Sequence, residues 1–360
     1  MNRINIAVYG LGYMGDLYAQ KLKACGVEPS QVFVVDVDKE REAAFCAKYG
    51  VQPLQDDTPI DGAIVAASTP AHHKILKALH ARGVMKALVE KPAAITLEAA
   101  AEIPTDMDVS VAYLMHFSDA LAHLIQEVML KSALKVGKIN VEWSKNRVPN
   151  KRPTPGNFKD EWPHGNGMAQ CLVEATDEIV ATHVYASCLN LPFVDEAAQR
   201  KAIAANPEMP ASPTSSSNTM ITHDLKSGRR VVVTQSSDFL SAFDLRRVSG
   251  TLIDAAGVPV KSFSLVLDTK GEGGKIVDIL TLVMLASNER QELSFGGDKL
   301  LTQTDAFVRF LGGEPRDPRF PTLKSTMHGM RTEEAGEQSS ATDKICTVVV
   351  QLPSVQAAAE

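Results

Sequence analysis

A strand that runs into a glycine turn and out into a helix is the feature that most constrains this chain. Ile4-Asn5-Ile6-Ala7-Val8-Tyr9 reads as a buried strand, Gly10-Leu11-Gly12-Tyr13-Met14-Gly15 as the turn, and Asp16 to Lys23 as a helix with Leu17, Ala19 and Leu22 on one face. G-x-G-x-x-G set between a strand and a helix is far more specific than three glycines alone. Gly10 permits the tight turn, Gly12 lets a pyrophosphate approach the backbone, and Gly15 lets the helix press onto the strand. The N–H groups and positive dipole end of that helix, at Tyr13 and Met14, then face the phosphates. About twenty residues further on, Val32-Phe33-Val34-Val35 ends in Asp36, where such a site places a carboxylate on the adenosine ribose hydroxyls. A carboxylate there repels a 2′-phosphate, so NAD is expected over NADP. Lys39 and Arg41 lie close enough to receive a phosphate and keep NADP as the alternative.

The pattern of strand and helix continues to about residue 118. Apolar strands over 60–67, 85–89 and 109–113 alternate with helices over 72–82 and 97–103, which implies a parallel sheet with right-handed crossovers. Ligands in such sheets sit beyond the carboxyl ends of the strands. Gly10 to Gly15, Asp36, Thr69-Pro70, Lys91 and Tyr113 to His116 are therefore expected on one rim. After 118 the rhythm changes. A helix over 120–130 and a strand over 138–144 lead to a polar Pro/Gly stretch over 145–167, an amphipathic helix over 168–185, and then a series of strands from 218 to 295 joined by short turns. Helices near 300–311 and 323–340 close the chain, the last expected to pack back on the first domain. The expected architecture is thus an α/β Rossmann-type dinucleotide-binding domain, 1–118, and an α+β domain with a large, mostly antiparallel open sheet, 119–360. The Pro/Ser-rich segment 207–217 reads as a surface loop.

Composition removes several function classes. A formal net charge of −6 without a dense basic run argues against nucleic acid or an anionic membrane surface as partner. No apolar run is long enough to span a bilayer, and Met1-Asn2-Arg3 leads straight into the first strand, so a cytoplasmic protein is expected. Five scattered cysteines without C-x-x-C spacing read as reduced thiols, and no His/Cys/Asp cluster has ligand spacing, so no metal is expected.

Val89-Glu90-Lys91-Pro92 at the end of a strand, Ser68-Thr69-Pro70 with His72 and His73 behind it, Tyr113-Leu114-Met115-His116-Phe117 and Gly312-Gly313-Glu314-Pro315 together resemble one known family. It is that of the glucose–fructose oxidoreductase, inositol dehydrogenase and MocA-like oxidoreductases, and the resemblance covers nearly the whole chain. It implies hydride transfer between a nicotinamide and a small sugar-like, cyclitol or related hydroxy/keto substrate in a cleft, and homodimers or homotetramers built through the C-terminal sheet. It also implies that Lys91 bonds the reacting oxygen and the nicotinamide ribose, with its pKa lowered by the cationic ring and partial desolvation. Pro92 would fix the turn, in a cis geometry if need be. Glu90 would anchor the turn more than touch substrate, and one of His72 and His73, with His73 favoured, would contact cofactor while the other is solvated.

The resemblance breaks at the second catalytic element. Family members carry His-x-x-Asp on a helix after a glycine-rich loop; here the stretch is Gly165-Asn166-Gly167-Met168-Ala169-Gln170-Cys171-Leu172-Val173-Glu174-Ala175-Thr176-Asp177. One register puts Asp177 at the histidine, and a shift of three puts Glu174 there and Asp177 at the aspartate; the first is preferred. Either way Asp177 fills a catalytic slot and no imidazole does. Burial would have to raise its pKa to make it a base. His183, on the expected helix, would point about 120° away from Asp177. His116 stands where the family often has arginine facing substrate. Lys145, Asn146, Arg147 and Arg152 lead into the loop before that helix and are candidates for an anionic or densely polar substrate group, with Trp162 closing over it. A solvated basic loop is the plainer alternative. Three functions stay open: the sugar-type dehydrogenase, an NAD(P)H-dependent imine or double-bond reductase, and a dinucleotide-binding regulator without turnover.

Overall fold

The computed structural model describes residues 4–146, 160–189, 216–238, 240–271 and 274–349, with isolated positions between 190 and 215. It divides into two compact units, one of residues 1–118 with 297–327 and the other of 119–296 with 328–360. The segment grouped with the N-terminal unit carries a helix over Lys299–Leu311, whereas the final helix, Leu323–Thr342, lies mostly in the other unit.

The first unit is built on β1 (Ile6–Tyr9), β2 (Val32–Val35), β3 (Gln52–Pro53), β4 (Gly62–Val65), β5 (Lys86–Glu90) and β6 (Asp108–Ala112) in the order β3-β2-β1-β4-β5-β6. All the pairings are parallel. Strands buried on both faces cannot alternate polar with apolar, which is why these runs read as continuous hydrophobic segments. Ile6, Val8, Ile64 and Leu88 pack to one side with Tyr18, Leu22, Phe307 and Phe310. Ala7, Ala63, Val65 and Val89 pack to the other with Leu76 and Leu79. Each fully buried Leu, Ile or Val contributes about 1.5–3 kcal/mol. The helices between the strands are α1 (Tyr13–Ala24), α2 (Lys39–Tyr49), α3 (His72–Ala81) and α4 (Leu97–Ala101).

The second unit opens with the short helix α5 (Asp119–His123) and a π-helical continuation over Leu124–Leu130. Among the described residues its sheet has nine strands: β7 (Lys135–Asn146), β8 (Ile179–Leu189), β9 (Ser216–Leu225), β10 (Arg230–Asp238), β11 (Leu240–Ile253), β12 (Pro259–Lys270), β13 (Ile276–Met284), β14 (Arg290–Gly296) and β15 (Cys346–Val349). Their order is β14-β13-β12-β11-β7-β10-β9-β8-β15, antiparallel throughout except for β7 with β10. One face is apolar, with Ile139, Val141, Trp143, Val231, Val233, Val248 and Leu265 all buried. Helix α6 (Trp162–Glu174) lies close on that face: a Cβ on Gly165 would meet Val141 Cγ1 at 2.6 Å.

Three elements differ from the sequence reading. The amphipathic helix expected over 168–185 is a helix over 162–174 followed by strand β8, and Trp162, read as a loop residue, is in its first turn with Pro163. The β-branched run Ile179-Val180 and the alternation Thr182 buried, His183 half-buried, Val184 buried, Tyr185 exposed belong to a strand. A register shift at 179–181 hides the start of that alternation. Strands β3 and β15 have no counterpart in the sequence reading; two and four residues carry too little pattern, and the edges of β2 and β8 give them their partners.

The apolar side of the second unit also holds a polar cluster. Thr182 Oγ1 lies 2.9 Å from His223 Nδ1 and 3.0 Å from His328 Nε2. Burial, with His328 beside it, pushes His223 down to about 3 against the opposing effect of Asp224. Burial and then Arg331 push His328 down to about 4. Both rings are therefore neutral in the folded protein while the unfolded chain takes up protons near the ordinary value of about 6.5. The unfolded state binds more protons between that value and about 4, so stability falls as pH falls through this window. Thermal unfolding followed from pH 7.5 down to pH 4.5 is expected to show a steep loss of midpoint that His223→Gln flattens; equal slopes in both proteins would refute it.

Candidate active site

The parallel register brings the carboxyl ends of the N-terminal strands to one level. Tyr9 pairs with both Val35 and Val65, Val65 with Val89, and Glu90 with Ala112. The strands of this rim exit, in turn, into Gly10, Asp36, the turn at Ala66 to Pro70, Lys91 and Tyr113. These positions therefore follow neighbouring strands at one end of this unit's sheet.

The glycine turn is shaped for a dinucleotide. Gly10 adopts φ +87°, and a Cβ there would lie 2.4 Å from Ala67 Cα. A Cβ on Gly15 would lie 2.2 Å from the Gly10 carbonyl oxygen. Gly12 is the opposite case: a Cβ there meets nothing within 4 Å. The turn is thus open on the Gly12 side, and the N-terminus of α1 behind it has no side-chain cap on its amides. Tyr13 is largely exposed beside it and Met14 half-buried.

Asp36 is 7% exposed directly after β2. Its Oδ2 accepts from the Leu11 N–H at 2.8 Å and its Oδ1 from the Asp38 N–H at 2.9 Å. Burial alone would raise its pKa, but the Asp38 and Leu11 amides, with the Arg41 guanidinium 3.5 Å away, outweigh it and hold the carboxyl below its ordinary value. Arg41 reaches both oxygens at 3.5 Å, so the carboxylate is shared by two backbone amides and one guanidinium.

Lys91 comes directly after β5, half-buried, and its peptide bond to Pro92 is cis. Glu90 Oε1 accepts from the Tyr18 hydroxyl at 2.7 Å. Burial raises the Glu90 pKa, opposed by the Tyr18 hydrogen bond and by Lys91. The two histidines after Thr69-Pro70 differ from expectation, for neither is solvated. His72 is 1% exposed, with Nδ1 2.8 Å from the Pro92 carbonyl oxygen and Nε2 2.9 Å from that of Ala67. His73 is buried next to it in the first turn of α3. His116 lies in the short turn Leu114–Phe117, buried, stacked on Tyr113 at 5.4 Å, with Nδ1 3.2 Å from the Arg319 carbonyl oxygen. The neighbouring Arg319 guanidinium packs 4.7 Å over the Phe117 ring and is held in a fork by Asp317. No motif marked it, because it comes from a segment some two hundred residues away in sequence.

The C-terminal candidates sit in the second unit. Asp177 is in the turn between α6 and β8, not on a helix, so its angular relation to His183 does not apply. Its carboxylate accepts from the Ser227 hydroxyl, from the Glu178 N–H at 3.0 Å and from the Ser227 N–H at 3.3 Å. Burial pushes its pKa up, but these donors and Lys135 bring it below its ordinary value, the reverse of what a carboxylate base requires. Glu174, exposed at the end of α6, accepts from the Gln170 amide at 2.8 Å. Trp162 does not close a loop: it is 0% exposed, with Nε1 3.3 Å from Thr219 Oγ1. Lys145 is paired at 2.6 Å with Glu161, a 3% exposed carboxylate that also accepts from Trp143 Nε1 at 3.1 Å. Glu161 was missed because a single acid in a polar stretch carries no pattern. Asn146 ends β7. Arg147 and Arg152 of the basic loop lie outside the described residues, as does most of 207–217.

Residues 4–108 match the model of an oxidoreductase family, the Gfo/Idh/MocA family with an NAD-binding Rossmann fold. No curated protein matches the chain in sequence. Among solved structures, the chain is similar to an NAD-binding oxidoreductase from Klebsiella pneumoniae, at 16% identity and TM-score 0.71 over 96% of this chain and 99% of that one. It is similar to an oxidoreductase domain protein from Kribbella flavida, at 13% identity and TM-score 0.71 over 97% and 100%. It is also similar to a UDP-N-acetylglucosamine 3-dehydrogenase from Acidithiobacillus ferrooxidans, at 16% identity and TM-score 0.66 over 95% and 98%. At these identities the likeness is one of fold. Among the described residues no helix is long and apolar enough to cross a membrane.

Proposed function

We propose, from the premise that this chain is an NAD(P)-dependent oxidoreductase whose residues 4–108 belong to the Gfo/Idh/MocA family, that it oxidises or reduces a carbon–oxygen bond of a small sugar-like or cyclitol substrate with Lys91 at the reacting oxygen. The observation that carries this reading is the placement of Lys91 at the end of β5, on the rim that holds the glycine turn and Asp36. Bound NAD supplies or accepts the hydride. The glycine turn and the first-turn amides of α1 hold its pyrophosphate, and Asp36 accepts from its adenosine ribose. Lys91 donates a hydrogen bond to the substrate oxygen and exchanges a proton with it as the carbon changes oxidation state.

Proton exchange is assigned to Lys91 without Asp177, whose carboxylate is engaged in a turn and held ionised. That same observation supports a second reading, reduction of an imine, where the activated carbon needs less help from a base. A panel of inososes, 3-keto sugars and cyclic imines with NADH, followed by loss of NADH absorbance, separates the two. Turnover on no member of the panel would overturn both and favour a binding protein.

The cofactor preference is open to a direct measurement. NAD is expected to raise the unfolding midpoint more than NADP at equal concentration, because the midpoint follows affinity for the folded state. Asp36→Ser is expected to narrow or reverse the difference, since Arg41 stays in place to meet a 2′-phosphate. A larger effect of NADP on the unaltered protein would reverse the role of Asp36.

A further inference from the structure

The two residues that flank Lys91 are each held by a buried side chain from a different helix. On one side Glu90 Oε1 accepts from Tyr18 Oη at 2.7 Å, and Tyr18 is 0% exposed in α1, the helix that leaves the glycine turn. Gln303 Oε1 lies 3.3 Å from the same phenol; one phenolic proton serves one acceptor, and the shorter contact assigns it to Glu90. On the other side the Pro92 carbonyl faces His72 Nδ1 at 2.8 Å, and His72 opens α3 directly after Thr69-Pro70-Ala71. The second ring nitrogen of His72, Nε2, faces the Ala67 carbonyl at 2.9 Å, at the exit of β4. Ala67 is also the residue against which Gly10 packs.

We propose that Tyr18 and His72 are positioning residues for Lys91, one clamping the backbone before it and the other the backbone after it. The inference rests on the reading of Lys91 as the reacting lysine, yet it concerns where the amine is held and not what it does.

Stability alone is a poor explanation for these groups. Taking a carboxylate even partly out of water is costly unless it is hydrogen-bonded, and a half-buried Glu90 facing a fully buried phenol is not the cheapest filling for the space between α1 and β5. A neutral imidazole has one N–H and here faces two carbonyls, so it too is not the cheapest filling for its place. What both groups share is that their partners are the immediate neighbours of Lys91. A catalytic side chain displaced by about 1 Å can lose on the order of 10²-fold in rate, so a turn fixed at both ends is functionally valuable. The Tyr18 tie also joins the Lys91 turn to α1, the helix that leaves the glycine turn.

The test reads the lysine itself. Lysines of the full chain are reductively methylated with ¹³C-formaldehyde, and the Lys91 signal is assigned by its loss in Lys91→Met. Tyr18→Phe and His72→Ala are each expected to shift or split that signal, with and without NADH, while lysines remote from the turn keep theirs. His72→Gln, whose amide can again donate to a carbonyl, is expected to bring the signal back toward its original place. NADH affinity, read by its fluorescence, is expected to stay within about threefold, since neither residue is on the open side of the glycine turn. An unmoved Lys91 signal in folded Tyr18→Phe and folded His72→Ala would overturn the inference. So would equal shifts spread over all lysines, or a His72→Gln signal no nearer the original than that of His72→Ala. If Lys91→Met keeps turnover while the signal moves as expected, the role of Lys91 in the reaction fails and the clamp stands.

Discussion

Lys91→Met is expected to lower NADH-linked turnover by about 10²–10⁴-fold, the range that a positioned proton donor or acceptor contributes. The methionine keeps most of the side-chain volume and removes the ammonium, so the turn after β5 is expected to keep its shape. In the sheet order β4 separates β5, which leads to Lys91, from β1 and β2, which lead to the glycine turn and Asp36; dinucleotide binding is therefore the internal control. NADH affinity is expected to change far less than turnover. Lys91→Arg sharpens the result, because a guanidinium keeps the positive charge but does not release a proton near neutral pH. If Lys91 acts only through its charge, the arginine variant retains a substantial rate; if it exchanges a proton, arginine is nearly as poor as methionine. Full turnover in Lys91→Met would end the assignment of this lysine to the reaction.

How much of this site is legible in the sequence depends on whether the information is local. Strands buried on both faces, the glycine turn and the Glu90-Lys91-Pro92 ending are contiguous signals, and the N-terminal sheet has the strands and direction they imply, with the exposed two-residue β3 added at its edge. The segment after 160 shows the limit. Trp162 to Tyr185 is apolar enough to fit either period, and the break at 175–178 is made by an Asp177 carboxylate that binds Ser227, fifty residues on. The site obeys the same rule. Asp36 and Lys91 could be named from their neighbours in sequence, but the groups that hold Lys91's flanks could not. Tyr18 looks like one more buried aromatic on α1, and nothing in the sequence separates His72 from His73; the fold does, by bringing the carbonyls of Ala67 and Pro92 to the two nitrogens of His72. Lys145 illustrates the reverse. Its sequence context suggests an anion site, and the buried Glu161 that neutralises it comes 16 residues later in the chain.

The three glycines of the turn are expected to separate fold from function. Gly12 has φ −76°, which any residue can adopt, and open space where a Cβ would project. Gly12→Val is therefore expected to fold with nearly unchanged thermal stability and to lose NADH affinity by about tenfold or more, roughly 1.4 kcal/mol or above, because the added methyls occupy the side from which the pyrophosphate approaches. Gly15→Ala places its methyl 2.2 Å from the Gly10 carbonyl oxygen, a backbone atom that cannot swing aside. Gly10→Ala adds a second cost, since its φ of +87° is disfavoured for a residue with a Cβ, on top of a 2.4 Å approach to Ala67 Cα. These two are expected to destabilise the first unit by about 1–3 kcal/mol each and to weaken binding only as a consequence. Thermal unfolding and NADH fluorescence titration on the same three variants read both axes. A Gly12→Val that binds NADH normally would mean the open side of the turn does not face the phosphates. A Gly15→Ala as stable as the parent would mean that the helix can shift away from the strand, which the close packing of α1 on Gly10 argues against.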